Sequence, residues 1–290
     1  MAGLQDIRRR IRSVKNTQQV TKAMKMISAV KLRKSQEALM ALRPYAAKML
    51  DVVRDVVSSS EELGETIHSP IALAFLAPRE EVNIRVVVIA SDKGLCGGFN
   101  ANVLKQATAF VAGTKAKIAH LDVVGRRAAD RAKKQGLAYA ADHLGVALPG
   151  LPALAQAIAE DAAAQYERGE IDALYLVHND FVSALAQVPA VLRVFPMELG
   201  QAHDAPAVPP LLEPTPAEVL NALLPRFIET TVLRALLEST ASEHGARMAA
   251  MDKASTNAAD MIDRLTLNMN KLRQASITNQ IIEIVSGANA

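Results

Sequence analysis

The sequence predicts an α/β protein with a long helical extension: an antiparallel coiled coil of the N- and C-terminal helices plus a Rossmann-like α/β globular domain. Three observations carry this. In both terminal segments apolar residues recur at alternating steps of three and four. Between those segments, strand-like and helix-like stretches alternate. Aromatic residues make up only 3% of the chain and tryptophan is absent, so alanine, leucine, valine and methionine carry the burial, which suits helix seams and small α/β cores better than an all-β protein.

The C-terminal segment, Pro216 to Val285, contains no proline after Pro225, and Gly245 is its only glycine before Gly287. These are mostly good helix formers. Met248, Met251, Ser255, Ala258, Ile262, Leu265, Met269, Leu272, Ser276 and Asn279 fall on one seam, and seven of the ten are apolar. A seam of that period supercoils left-handed around a partner. A helix of about sixty residues is roughly 90 Å long, so part of it is expected to project beyond a globular body. The partner is the N-terminus. Leu4, Ile7, Ile11 and Val14 begin a similar seam. It turns polar at Gln18, Thr21 and Lys25, and continues through Ser28, Leu32, Ser35, Leu39, Leu42, Ala46, Met49, Val53 and Val56. The expected division is 1–58 for the N-terminal coiled-coil helix, 70–200 for the α/β domain and 215–287 for the C-terminal helix. Two seams alone also allow a helical bundle folded back on itself. Pro44 is expected to kink or interrupt the first helix, and Ser58 to Pro70 to be a loop or frayed end.

The middle reads as alternating elements. IRVVVIA (Ile84 to Ala90) is an apolar β-branched run suited to a strand buried on both faces. A glycine-rich turn and a helix over Asn102 to Ala112 follow. A second strand (Lys117 to Gly125) and helix (Arg126 to Gly136), a third helix (Leu151 to Gly169) and a third strand (Ile171 to Asn179) come next. Gln187 to Pro196 reads as an edge strand, because Pro189 cannot donate to a ladder. The alternation implies a mostly parallel sheet with covering helices. Gly200 to Pro216 holds five prolines and reads as a stiff linker.

Charge is uneven. Residues 1–56 carry thirteen Lys/Arg against four Asp/Glu, whereas 57–214 carry thirteen against eighteen and 215–290 seven against eight. A helix so basic suits nucleic acid, an anionic membrane or an acidic protein surface. No run of eighteen apolar residues exists to span a membrane, and MAGLQDIRRRIRS has no apolar region after its charges, so it is not a secretory signal. One cysteine, Cys96, excludes an intramolecular disulfide and a cysteine-based zinc cage. The simplest compartment is the cytoplasm.

The most enzyme-like stretch is SDKGLCGGFN, Ser91 to Asn100. A strand leading through glycines into a helix is where phosphates bind. Its glycines, Gly94, Gly97 and Gly98, lack the dinucleotide spacing, and no Gly-Lys-Ser/Thr follows. None of the six histidines pairs with Cys96 at a recognisable spacing, and no HExxH or close carboxylate–histidine cluster suggests a metal. His178-Asn179-Asp180 reads as a polar strand terminus. Met24, Met26, Met248, Met251, Met261 and Met269 lie on the long helices and read as coiled-coil core, with the adaptability of thioether side chains. On residues alone three readings stand: a mechanical coiled-coil protein, an α/β nucleotide-binding enzyme with helical extensions, and a basic coiled coil binding nucleic acid through Arg8 to Lys34.

RRRIRSVKNTQQVTKAMKMISAVKLRKSQ, SDKGLCGGFN and ARMAAMDKASTNAADMIDRLTLNMNKLRQASITNQIIEIVSGA, in that order, resemble the gamma subunit of bacterial rotary F-type ATP synthases over the whole chain. The resemblance implies no catalysis and no cofactor of the chain's own. It implies a central rotor shaft that couples proton-driven rotation of a membrane c ring to conformational cycling of beta-subunit sites. The implied partners are a ring of three alpha and three beta subunits, an epsilon subunit and the c ring, with no nucleic acid. The implied location is peripheral, at the cytoplasmic face of the bacterial inner membrane. Carried over residue by residue, Lys22, Met24 and Lys25 face the acidic lever of the beta subunits, and Arg273 and Gln274 match a polar catch on beta-subunit loops. Ile281, Ile282, Ile284 and Val285 form an apolar bearing tip. Gly94, Leu95, Cys96, Gly97 and Glu213 match segments near the c ring and epsilon. The regulatory dithiol of chloroplast members is impossible with one cysteine, and the lack of a transit peptide points to a bacterial enzyme.

Overall fold

A computed structural model describes residues 4–62, 75–76, 79–197 and 212–288. The elements in chain order are α1 (Leu4–Glu62), β1 (Asn83–Ile89), α2 (Phe99–Gly113), β2 (Lys117–Val124), α3 (Arg126–Lys134), β3 (Ala141–His143), α4 (Leu151–Glu167), β4 (Ala173–Phe181), β5 (Gln187–Phe195) and α5 (Pro216–Ala288). The chain divides into two compact units, Met1–Ala29 with Arg247–Ala290, and Val30–Ala246.

The first unit is an antiparallel helix pair. The Lys25 ammonium meets Asp252 Oδ1 at 2.6 Å, and the Gln18 amide donates to the Ser255 carbonyl at 3.5 Å, so α1 ascends where α5 descends. Ile7, Thr21, Ser28, Met251, Ser255 and Ala258 are buried. Leu4, Ile11, Val14, Ile262, Leu265, Met269 and Leu272 are half-buried, and Ser276 and Asn279 are exposed. The seam is therefore the one the periodicity picks out, through Leu272. Its polar stretch is matched by polar groups opposite, which fixes register at some cost in stability. Met26 and Met261, expected in this core, are instead 65% and 52% exposed, because neither falls on the seam.

The second unit is built on a five-stranded sheet in the order β3-β2-β1-β4-β5. β1 pairs parallel with β2 and β4, β2 pairs parallel with β3, and β5 lies antiparallel on β4 at the edge. Pro189 sits opposite Asn179 on that edge strand, where its missing N–H costs no second ladder. Strict alternation along β1 sends Val86 and Val88 to the face under α2 and α3, and Val87 and Ile89 to the face under α1, α4 and α5. On the second face Phe75, Tyr166 and Phe195 form a ring cluster with centroids 4.8–5.2 Å apart. Leu220, Leu224, Ile228, Val232 and Leu236 of α5 are all buried there, as are Val53 and Val56 of α1.

Three expectations change. α1 continues through Pro44 and past Ser58 to Glu62. Pro44 is exposed, as is Met40 four residues earlier, so the carbonyl that loses its partner faces water. β3 was not foreseen; it is three residues held by pairing to β2. The remainder of the expected loop, 63–70, and the linker from Gly200 to Leu211 lie outside the described residues.

Arg85 is the one charge of β1, and it is 3% exposed. Its Nε and Nη2 donate to Asp122 Oδ2 at 2.9 and 2.6 Å, and its Nη1 donates to Asp161 at 2.5 Å and Gln165 at 3.1 Å. Removing one partner leaves an uncompensated buried charge. Asp122→Ala is expected to cost about 3–5 kcal/mol in urea unfolding of the full chain, and Arg85→Met with Asp122→Leu markedly less.

Candidate functional site

The carboxyl ends of parallel strands, at the point where the chain reverses its order across the sheet, are where α/β proteins bind ligands. Here that point lies between β1 and β4. The Ser91–Asn100 turn leaves β1 at this end. The Ser91 amide donates to Asn100 Oδ1 at 3.1 Å and the Asn100 side-chain amide donates to Cys96 Sγ at 3.0 Å, so Asn100 ties the two ends of the turn together. Asp92 accepts from the Arg126 and Gly145 amides, each at 3.0 Å. A Cβ on Gly94 would stand 3.0 Å from the Arg127 guanidinium, and Gly97 has φ +57°. Leu95 adopts φ +62°, rare for a branched side chain, and is 63% exposed. Cys96 is buried against Phe99 and Ala246.

The crevice above the strand ends is occupied by the chain itself. Leu236, Ser239, Thr240 and Glu243 of α5 close over Ile89, Asp92, Val124, Gly125 and His143, leaving about 50 Å³. Sites for drug-sized ligands run to about 300 Å³ or more, well above the space left at the ends of β1, β2 and β3. Ser242 Oγ donates to the Asn179 carbonyl at 3.2 Å. Gly245 is explained by the same approach: a Cβ there would meet Ala184 Cα and O at 3.2 Å.

Beside this contact lies a cluster the linear sequence concealed. His178 Nε2 on β4 lies 2.9 Å from Asp180 and 3.7 Å from Glu238 on α5. Arg43 of α1 and Arg234 of α5 approach Glu238 at 3.9 and 4.0 Å. His178, Asp180 and Glu238 offer three ligand atoms within 4.8 Å of one another, a spacing a metal ion can bridge. Both arginines approach Glu238 and Asp180 is held by His178, so the set is an ion-pair network tying β4, α5 and α1. Burial pushes the His178 pKa down, but the bonds to Asp180 and then Glu238 outweigh it, and the value is raised. The Asp180 carboxyl is held below the usual range, first by its bond to His178. Asp180 is two residues away, but Glu238 is sixty, and no local pattern announces it.

The residues singled out from the sequence fall into groups. Lys22 is exposed, Met24 half-buried, and Lys25 pairs with Asp252, all on one turn of α1. Arg273 and Gln274 are exposed on α5. Ile281, Ile282 and Ile284 are 56%, 55% and 71% exposed, and the Val285 side chain lies outside the described residues. Glu213 is exposed ahead of α5. Sequence reasoning passed over Val20 and Ile27, each 58% exposed on one stripe of α1; their place off the seam is the signal that would have found them. No described helix is long and apolar enough to cross a membrane.

The fold and site thus define an α/β protein with long paired terminal helices, whose ligand crevice is filled by its own C-terminal helix. The sequence model of the ATP synthase family described as "ATP synthase" matches residues 3–290. The ATP synthase gamma chain of Solibacter usitatus is 47% identical over 290 residues, covering 100% of this chain and 99% of that one. That of Pelotomaculum thermopropionicum is 43% identical with the same coverage. The chain belongs to the ATP synthase gamma-chain family. Among solved structures, a chain of the Euglena gracilis mitochondrial ATP synthase in its F1 and c-ring assembly aligns with a TM-score of 0.63 at 18% identity, over 99% of this chain and 93% of that one. The Tetrahymena thermophila mitochondrial central stalk and c-ring structure aligns with a TM-score of 0.58 at 24% identity, over 81% of this chain and 99% of that one. These two establish likeness of fold.

The His178 network makes stability depend on pH. A raised native pKa contributes stability that is fully present below the ordinary value of 6.5 and is lost as pH rises through the native value. In urea unfolding, wild type is expected to exceed His178→Gln most at about pH 6, with the gap shrinking above about pH 7. A gap that does not change with pH would remove the ionic role of His178.

Proposed function

We infer that this chain is the central rotor shaft of an F-type ATP synthase. It couples proton-driven rotation of a c ring to ATP synthesis, and in reverse ATP hydrolysis to proton pumping. The observation that carries the reading is the end-to-end match to gamma chains. The paired helices of residues 1–58 and 215–287 act as the shaft and residues 70–200 as the foot. Three alpha and three beta subunits surround the shaft, and the foot rests with epsilon on the c ring, peripheral to the cytoplasmic face of the bacterial inner membrane. Coupling is a population shift: each angle of an asymmetric shaft makes different contacts with three chemically identical beta subunits and so stabilises a different state in each.

The side chains suit these roles. Lys22 and the half-buried Met24 present charge and adaptable surface to an acidic beta-subunit lever, and the excess of cations on 1–56 favours that partner. Lys25 takes part while paired to Asp252. Arg273 and Gln274 offer exposed donors for the catch. Ile281, Ile282, Ile284 and Val285 form the bearing tip; an exposed isoleucine group of this kind calls for an apolar collar. At the foot, Leu95 supplies an exposed apolar surface, with Gly94 and Gly97 in the same turn and Cys96 supporting it from within, and Glu213, exposed ahead of α5, is a separate contact.

Reconstitution with alpha and beta subunits of the same organism tests the reading. A complex of three alpha, three beta and one gamma, with ATP hydrolysis that requires this chain, is expected; a folded chain that does not assemble overturns it. Within such a complex, Met24→Lys adds a cation next to Lys22 and Lys25. Hydrolysis is expected to survive while ATP-driven proton pumping falls several-fold, read as the ratio of the two rates in vesicles. An unchanged ratio removes Met24 from the coupling contact.

A further inference from the structure

The two faces of the sheet are packed differently. The face under α1, α4 and α5 is closed by Phe75, Tyr166, Phe195 and long aliphatic side chains. The face under α2 and α3 is covered mainly by valine and alanine, with Ala107, Ala128 and Ala132 at the facing helix positions. Side chains this short do not fill the space between the two helices, and a cleft of about 240 Å³ remains. Its floor is Val88, Leu121 and Val123, all buried. An unfilled apolar cleft forfeits the contacts that a close-packed interior makes.

The mouth has the opposite character. Thr108, Arg131 and Gln135 stand at the solvent side, where the Gln135 amide donates to Thr108 Oγ1 at 3.3 Å and joins the two helices. Arg131 is exposed and makes no ion pair among the described residues. It sits on a helix, RRAADRAKK, with five cations against Asp130 alone. A deep apolar floor under a guanidinium selects a ligand with an apolar body and one anionic end. A planar guanidinium fork matches a carboxylate in particular. An apolar void of about 150 Å³ takes benzene, so one of this size takes about ten carbon-sized atoms on the same scale.

We propose that the cleft between α2 and α3 binds a small amphipathic carboxylate, a free single alkyl chain of about eight carbons. Its tail lies on Val88, Leu121 and Val123, and its carboxylate on Arg131 at the rim. This site is independent of the rotor reading, because every residue it uses lies apart from the helix positions assigned to beta-subunit contact.

The test titrates octanoate and, separately, octanol into the full-length chain, followed by methyl NMR of the cleft leucines and valines. Saturable one-to-one binding is expected, with octanoate preferred about tenfold for the charge-assisted contact. Arg131→Gln, an exposed substitution that leaves the fold intact, is expected to bring octanoate down to the octanol affinity. Ala107→Phe fills the cleft and is expected to abolish both. If Ala107→Phe fails to fold, the octanol comparison and Arg131→Gln decide alone. Shifts that do not saturate, equal affinity for the two ligands, or octanoate affinity unchanged in Arg131→Gln each overturn the proposal. Retention on phosphatidylglycerol vesicles that Arg131→Gln abolishes would move the chemistry to a lipid surface and overturn the free carboxylate.

Discussion

Helix α5 packs along one face of the sheet and then crosses the carboxyl ends of the parallel strands, and much of the second unit follows from that passage. Leu220, Leu224, Ile228, Val232 and Leu236 are each buried on the sheet side of α5. At about 1.5–3 kcal/mol per fully buried large aliphatic side chain, the group contributes on the order of 10 kcal/mol before ordering costs. That is comparable to the net stability of a whole domain. Residues 216–246 are therefore part of the α/β core rather than an appendage to it. The same passage makes Gly245 necessary, since Ala184 leaves no room for a Cβ. The usual ligand crevice of such a fold here holds the chain's own helix. The His178–Asp180–Glu238 network with Arg43 and Arg234 lies beside that contact and adds directional bonds to it, as does the Ser242–Asn179 bond.

The first unit follows a different logic. Its seam includes Gln18, Thr21, Lys25, Ser28 and Ser255, which supply little hydrophobic stabilisation. Polar groups on a seam cost stability and gain register, because each must find its partner or be left buried and unsatisfied. The Lys25–Asp252 pair and the Gln18–Ser255 bond show those partners found. For a helix pair that carries rotation, a fixed register matters more than a large margin of stability, since slippage by one heptad would misplace every contacting residue. The exposed isoleucines beyond Leu272 fit the same account. They bury only part of their surface in this unit, and on the rotor reading the rest meets a surrounding surface.

How much of this was legible varies with how local the cause is. The seams were readable because a period of three and four persists over many turns, and burial follows it from Leu4 to Leu272. IRVVVIA and the Pro189 edge strand were readable because a strand buried on both faces, or barred from a second ladder, leaves its mark on its own residues. β3 was not, because three residues carry no period and exist as a strand only through β2. Pro44 misled because its cost depends on which way the orphaned carbonyl points, which sequence does not state. Glu238 lies sixty residues from His178, so the ion-pair network has no linear signature. The cleft between α2 and α3 was hidden for another reason: alanines in a helix read as good helix formers, and only the assembled sheet shows that they leave a gap.

The glycine-rich turn shows how one pattern serves two ends. SDKGLCGGFN has the composition of a phosphate loop because both uses need backbone in conformations that glycine tolerates. Here the Ser91 amide is bound by Asn100, whose own amide donates to Cys96 Sγ, and the Phe99 amide donates to the Cys96 carbonyl. The feature left outward is Leu95, an apolar side chain held at φ +62°, a conformation that costs a non-glycine residue of order 1–3 kcal/mol. Such strain persists only where neighbours over-determine it, and the internal bonds of the turn with the closely packed Gly94 do so. The turn is therefore held in shape and presents Leu95 as an exposed hydrophobic point. On the rotor reading, that is what a foot requires where it must hold a partner under torque: a fixed apolar contact on an element whose far side is locked to α5 through Cys96, Phe99 and Ala246.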